Sequence, residues 1–198
     1  GMALLSTSRL AQDKRVGDLL REFLGVWASV SHGTDARLYI AGSGPQEPAL
    51  RAHARVMGAG ASVIFLGDRD DVARLYRAAD AFLLPTSSEG MSNSLLEAMA
   101  CGLPALATRV TGTRDIVQDG QNGLLYEPGD LAESRRQLEK LLGSVDLTAS
   151  LGQAARATAE RFSLEKTIDG WLEIYRGPTG AFGSPTSPRR SLRERPTR

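Results

Sequence analysis

Residues 81–108 read AFLLPTSSEGMSNSLLEAMACGLPALAT. Ala81–Leu84 is a short apolar run of the kind a strand buried on both faces uses, and Pro85 closes it. Thr86–Ser92 is a polar loop. Asn93–Cys101 has the apolar spacing of a helix, and Gly102 stands where a left-handed residue ends one. Pro104–Thr108 is a second apolar run. Strand, loop, helix and strand in immediate succession form a βαβ unit, which places the two strands parallel in one sheet.

The same alternation continues on both sides. Toward the N-terminus the reading gives strands at Ala3–Ser8, Arg37–Ala41 and Ser62–Leu66. Helices are expected at Val16–Ser31, Glu47–Met57 and Asp70–Ala79; the first carries Leu19, Leu20, Phe23, Leu24 and Trp27 at helical spacing. Toward the C-terminus it gives a short helix near Thr113–Gln118, a strand at Gly123–Tyr126, and helices at Leu131–Gly143, Leu147–Arg161 and Leu164–Arg176. Asp130 and Ser163 sit where N-caps belong. The expected fold class is α/β: a doubly wound, Rossmann-like parallel sheet of about six strands, with helices on both faces and further helices at the C-terminal end. Residues 2–176 form the domain. Residues 177–198 form a Pro/Arg-rich tail, expected to be flexible because it cannot bury enough apolar surface to offset the entropy of ordering.

Composition narrows the function. A chain of 198 residues buries a core without disulfides, and a lone cysteine, Cys101, fits a reducing compartment. No apolar run approaches the ~20 residues that span a bilayer. The tail carries a net charge of +4 and the rest of the chain −3, so the body offers no basic face to nucleic acid. The expected location is cytoplasmic, with contact at the inner membrane face through the basic tail as a secondary option.

In a sheet of this type, ligands bind beyond the carboxyl ends of the strands, and the polar clusters lie there. Glu89 is in the loop after Leu84 and Glu97 is one turn into the following helix. Between them the helix N-terminus suits a phosphate, and Gly90 lets backbone approach a ligand. Two carboxylates beside an anion site fit hydroxyls on either side of it: ribose on one, a sugar on the other. Arg9 and Lys14, after the first strand, can neutralise a diphosphate without a metal.

These residues carry a resemblance. Ser8-Arg9-Leu10 with Lys14, Gly42-x-Gly44-Pro45, Phe65-x-Gly67 with Asp71-Val72, and Glu89-Gly90 through Glu97-Ala98-Met99-Ala100-Cys101-Gly102-x-Pro104 follow one another in order. Gly120-x-x-Gly123 and Pro128 come after them. The series resembles the C-terminal domain of group-one glycosyltransferases, retaining enzymes built from two Rossmann domains and marked by two glutamates of this separation. The likeness runs over about Leu4–Arg176. It implies that Arg9, Lys14 and the backbone of Gly90, Met91, Ser92 and Asn93 bind the donor diphosphate. Glu97 would hold the ribose and Glu89 the donor sugar, as the catalytic carboxylate. Gly42, Gly44, Asp68 and Arg69 would lie near the nucleotide. The reading expects no metal and no cofactor beyond a nucleotide-diphosphate sugar as co-substrate. The family's N-terminal acceptor domain has no counterpart in these residues, and the acceptor, base and sugar are left open. Self-association through the exposed cleft face or the last helix is expected as well.

Plainer readings stand beside these. Taken singly, Glu89, Glu97, Arg9 and Lys14 read as surface charges. Asp68-Arg69-Asp70 spells a D-x-D metal pattern, but its place between strand and helix favours a turn and an N-cap. Gly42-Ser43-Gly44 lacks the third glycine of a dinucleotide fingerprint. His32 and His53 have no metal-ligand spacing. Cys101 reads as a small buried residue and Trp27 and Trp171 as packing residues. A second function, a non-catalytic module that binds nucleotide sugar or docks on a partner, uses the same pocket.

Overall fold

Leu4 and Leu5 of the first strand, β1 (Ala3–Thr7), are adjacent and fully buried, yet they belong to two different apolar clusters. Successive strand residues point to opposite faces, so a strand with both in its core must lie between two helical layers. The computed structural model, which describes residues 1–30 and 36–176, has that form. His32, Ser31 at the end of the expected first helix, the Trp27 side chain and the tail from Gly177 lie outside what is described.

Six strands form one sheet: β1, β2 (Arg37–Ala41), β3 (Val63–Gly67), β4 (Ala81–Leu84), β5 (Ala105–Thr108) and β6 (Gly123–Tyr126). Their order is β3-β2-β1-β4-β5-β6 and every pairing is parallel. One cluster joins Leu4, Leu38, Ile40, Leu83 and Leu106 to Leu19, Leu20 and Phe23 of α1 (Val16–Val30), Leu50 of α2 (Glu47–Val56) and Leu138 and Leu141 of α6 (Leu131–Gly143). The other joins Leu5, Phe82, Leu84, Ala105 and Ala107 to Tyr76 of α3 (Val72–Ala78), Leu95 and Met99 of α4 (Asn93–Ala100), and Ala155 of α7 (Val145–Ala159). Each fully buried leucine contributes roughly 1.5–3 kcal/mol by leaving water.

Three strands have the expected bounds, and most other ends differ by one or two residues. Gly102 ends α4 with φ of 83°, the left-handed conformation expected there. The Asp130 carboxylate accepts from Glu133 N at 2.9 Å, the expected cap of α6. Two elements depart further. The helix expected near Thr113–Gln118 is a single turn, α5 (Thr111–Arg114). The Asn122 side chain accepts from Gln118 N (2.7 Å) and donates to Ile116 O (3.1 Å), taking backbone groups a longer helix would use. Helix α7 starts two residues early because Ser144 caps it, its hydroxyl accepting from Leu147 N at 3.2 Å. Cys101 is half-buried rather than buried.

The chain divides into two units, Gly1–Phe162 and the part from Ser163 onward. The second contains α8 (Leu164–Arg176), capped by Ser163, whose hydroxyl accepts from Lys166 N at 3.4 Å. Ile168, Trp171, Leu172 and Tyr175 share a helical face, and the Trp171 and Tyr175 rings lie 6.2 Å apart. No helix among the described residues is long and apolar enough to cross a membrane.

Candidate functional site

Because β1 sits between β2 and β4, the chain leaving β1 runs outward to β2, while the chain leaving β4 runs the other way to β5. The loops above these two strands diverge and leave a crevice between them. Arg9 and Lys14 stand on the first loop, Glu89 on the second.

The β1 loop lies directly on the segment after β2. Ser8 N donates to Ala41 O (3.1 Å), Leu10 N to Ser43 O (2.8 Å) and Gln46 N to Leu10 O (3.0 Å). A Cβ at Gly42 would lie 2.0 Å from Ser8 O, and one at Gly44 2.4 Å from Leu10 O. Chain-on-chain contact is thus a reason for both glycines that does not involve a ligand, and sequence alone did not reveal it. Gly42, with φ of 123°, also lines a cavity of about 440 Å³ together with Thr7, Ser8, Arg9, Ser43, Asp68 and Arg69.

That cavity gathers four of the residues singled out from the sequence: Arg9, Gly42, Asp68 and Arg69. Asp68 accepts from the Ser43 hydroxyl at 2.6 Å. Arg69 does not reach Asp68. It forms a two-pronged pair with Asp71, Nε and Nη2 each 2.7 Å from a carboxylate oxygen, and this hydrogen bonding holds the Asp71 carboxyl below its ordinary range. The N-cap expected from Asp68-Arg69-Asp70 falls at Asp71 instead, whose side chain makes no cap bond because Arg69 occupies it. No cluster of three or more His, Cys, Asp or Glu able to hold a metal occurs among the described residues.

The β4 loop is fastened on three sides. Ser87 N and Oγ both donate to Asp13 O, at 2.8 and 2.9 Å, which ties it to the β1 loop. The buried Thr108 hydroxyl donates to Thr86 O at 2.5 Å. Gly112 N donates to Glu89 O at 3.0 Å, and a Cβ on Gly112 would stand 2.3 Å from Gly90 O. Gly112 is therefore the seat on which the Glu89–Gly90 backbone rests. It was missed in the sequence, where its only signal was a glycine soon after a strand.

On this scaffold Lys14 Nζ donates to Glu89 Oε1 at 2.5 Å, with the two side chains only 22 % and 13 % exposed. Arg9 is different: its side chain is 71 % exposed and its nearest carboxylate oxygen, on Asp13, is 3.7 Å away. At the tip of α4 the buried Ser92 caps the helix, its hydroxyl accepting from Leu95 N at 3.3 Å. Gly90, Met91 and Asn93 are exposed beside it, and nothing stands within 4 Å of where a Cβ on Gly90 would be.

Glu97 is exposed on α4 and faces the hydroxyl of Tyr76. That phenol, buried against the sheet and edge-on to Phe82, has a hydroxyl 2.8 Å from Thr7 Oγ1. Burial, then the Glu97 carboxylate, pushes its pKa up to about 12, so it stays a neutral hydrogen-bond donor. Tyr76 carried no sequence signal beyond its place on an apolar helix face. The loops around the crevice thus offer two cations, two carboxylates, a capped helix tip and a neighbouring cavity, a set suited to an anion flanked by hydroxyl groups.

Residues 2–144 match the family described as Glycosyl transferases group 1. The chain is 34% identical over 173 residues to N-acetyl-alpha-D-glucosaminyl L-malate synthase of Bacillus anthracis, covering 87% of this chain and 44% of that protein. It is 39% identical over 149 residues to D-inositol 3-phosphate glycosyltransferase of Salinispora arenicola, covering 74% and 33%. The chain thus spans less than half the length of these curated relatives. Among solved structures, Anabaena HepE in complex with UDP superposes with a TM-score of 0.81 at 23% identity, covering 88% of this chain and 48% of that one. The C-terminal domain of a group 1 glycosyl transferase, LpcC from Francisella tularensis, gives 0.75 at 20% identity, covering 82% and 87%. At those identities the two structures share the fold.

Proposed function

This chain belongs to the group 1 glycosyl transferases, and on that premise we propose that it is the donor-binding half of an enzyme that moves a sugar from a nucleotide-diphosphate sugar to an acceptor, with retained configuration and without a metal. The observation that supports the reading is the Lys14–Glu89 pair bridging the loops after β1 and β4, with Arg9 lining the cavity beside the β1 loop and Glu97 near the Tyr76 hydroxyl, which meets Thr7 at the end of β1.

Arg9, Lys14 and the N–H groups of Gly90–Asn93 take the diphosphate. The nucleoside occupies the cavity beside Gly42, Asp68 and Arg69, and Glu97 accepts from the ribose hydroxyls. Glu89 accepts from hydroxyls of the donor sugar. When the anomeric C–O bond breaks, both electrons go to the diphosphate oxygen, where the cations and the helix tip stabilise the growing charge. The acceptor oxygen then bonds to the anomeric carbon on the same face, and its proton passes to the departing diphosphate. Arg9 and Lys14 would supply the neutralising charge in place of a metal.

The acceptor side of the reaction belongs to the rest of a two-domain enzyme. The test is calorimetry of the whole chain with UDP, GDP and ADP, with and without EDTA, repeated for Arg9→Ala and Glu97→Ala. Binding of one nucleotide, weakened about tenfold in each variant, is expected from the loss of one charge-assisted hydrogen bond. Full affinity in both variants would remove the assigned roles, and binding abolished by EDTA alone would remove metal independence.

A further inference from the structure

We infer that the Lys14–Glu89 ion pair makes the site prefer a nucleotide sugar over the bare nucleoside diphosphate that remains after transfer. This rests on the donor-site reading and adds a means of product release to it.

The pair is short, 2.5 Å, and largely withdrawn from solvent, so little salt or water screens it. Its two backbones are not free to separate. The Lys14 segment is held to the Glu89 loop through Asp13 O, which accepts from Ser87 N and Oγ. The Glu89 segment is held through its carbonyl on Gly112 N. Lys14 and Glu89 therefore part only by turning their side chains. A diphosphate drawn to Lys14 meets a carboxylate already bonded to it, and like charges repel.

The two ligands answer this differently. The sugar of a nucleotide sugar brings hydroxyl donors that satisfy Glu89 when Lys14 turns to the phosphates. At the position of the sugar a nucleoside diphosphate brings only further negative charge, leaving Glu89 mostly buried and without a donor. Arg9, exposed and 3.7 Å from its nearest carboxylate, follows the phosphates of either ligand with little to break. The ion pair therefore weighs against the ligand that lacks the sugar.

The experiment uses the whole chain and whichever of UDP, GDP and ADP binds it best, with the glucose, N-acetylglucosamine and mannose conjugates of that nucleotide. The unsubstituted chain should bind its best conjugate more tightly than the bare diphosphate. Glu89→Gln removes the repelling charge. It should bind the bare diphosphate about tenfold more tightly, the worth of one hydrogen bond to a charged group, and reduce the preference for the conjugate by a similar factor. Glu89→Ala frees Lys14 in the same way and should tighten the bare diphosphate in the same direction. Equal affinity for conjugate and diphosphate in the unsubstituted chain overturns the inference. So does an unchanged or weakened diphosphate affinity in folded Glu89→Gln and Glu89→Ala. If no nucleotide binds the unsubstituted chain, the donor-site reading itself fails, and this inference fails with it.

Discussion

Replacing Glu22 by glutamine should stabilise the protein at pH 8 and change little at pH 5. Glu22 is on α1, 4 % exposed, with its carboxyl against Ser134 of α6 and the phenol of Tyr126 on β6. Ser134 donates to one carboxylate oxygen, while Oε1 has no partner among the described residues. Burial, with Asp18 adding repulsion, outweighs the Ser134 hydrogen bond and the attraction of Arg15, and raises the pKa from 4.5 to about 7. Burial likewise raises the pKa of the Tyr126 phenol, so no compensating charge comes from that side. Between pH 4.5 and about 7 the folded chain keeps a proton that the unfolded chain has lost. Stability from this group is complete below pH 4.5 and is lost as pH rises through about 7. Taken over that interval at 1.36 kcal/mol per pH unit, the loss is about 3 kcal/mol. Glutamine has the same shape and no proton to lose, so the variant should escape it. Urea unfolding followed by circular dichroism at pH 5 and pH 8 measures the difference. A gain at pH 8 of the order of 3 kcal/mol, or roughly 6–12 °C in Tm, is expected. Parallel pH profiles for the two proteins, or a less stable variant at pH 8, would refute the reasoning.

Two further expectations concern the site and the last helix. Gly112→Ala places a methyl 2.3 Å from Gly90 O, so the Glu89 loop must shift. A stability loss of about 1–3 kcal/mol should accompany weaker binding of a nucleotide sugar by calorimetry, and unchanged binding would show that the seat is not needed. The apolar face of α8 should make the chain associate with itself, so light scattering should give an average mass that rises with concentration. Trp171→Glu should suppress the rise, whereas a constant monomer mass before substitution would end the idea.

The sheet was legible because its strands carry their own punctuation. Ala81–Leu84 ends at Pro85 and Arg37–Ala41 at Gly42, and both apolar runs are too short for helices. The short α5 was not legible, because a side chain eight residues past its end, Asn122, takes the backbone groups that would have extended it. At the site, the residue types and their common sheet edge could be read from spacing, but their partners could not. Lys14 and Glu89 are 75 positions apart, and Tyr76 and Thr7 are 69 apart. Neither pair leaves a periodic trace, since only the closed fold brings them together. Gly112 was hidden for the same reason: its contact is with backbone, which every residue has.

Where Glu89 rests on Gly112, main chain lies on main chain with no side chain between. A support of that kind has no rotamers to rearrange, so the carboxylate searches for a ligand only through the torsions of its own side chain. Whatever freedom is lost when a sugar docks there is lost by the glutamate and the sugar, and the floor beneath them has almost none to give up.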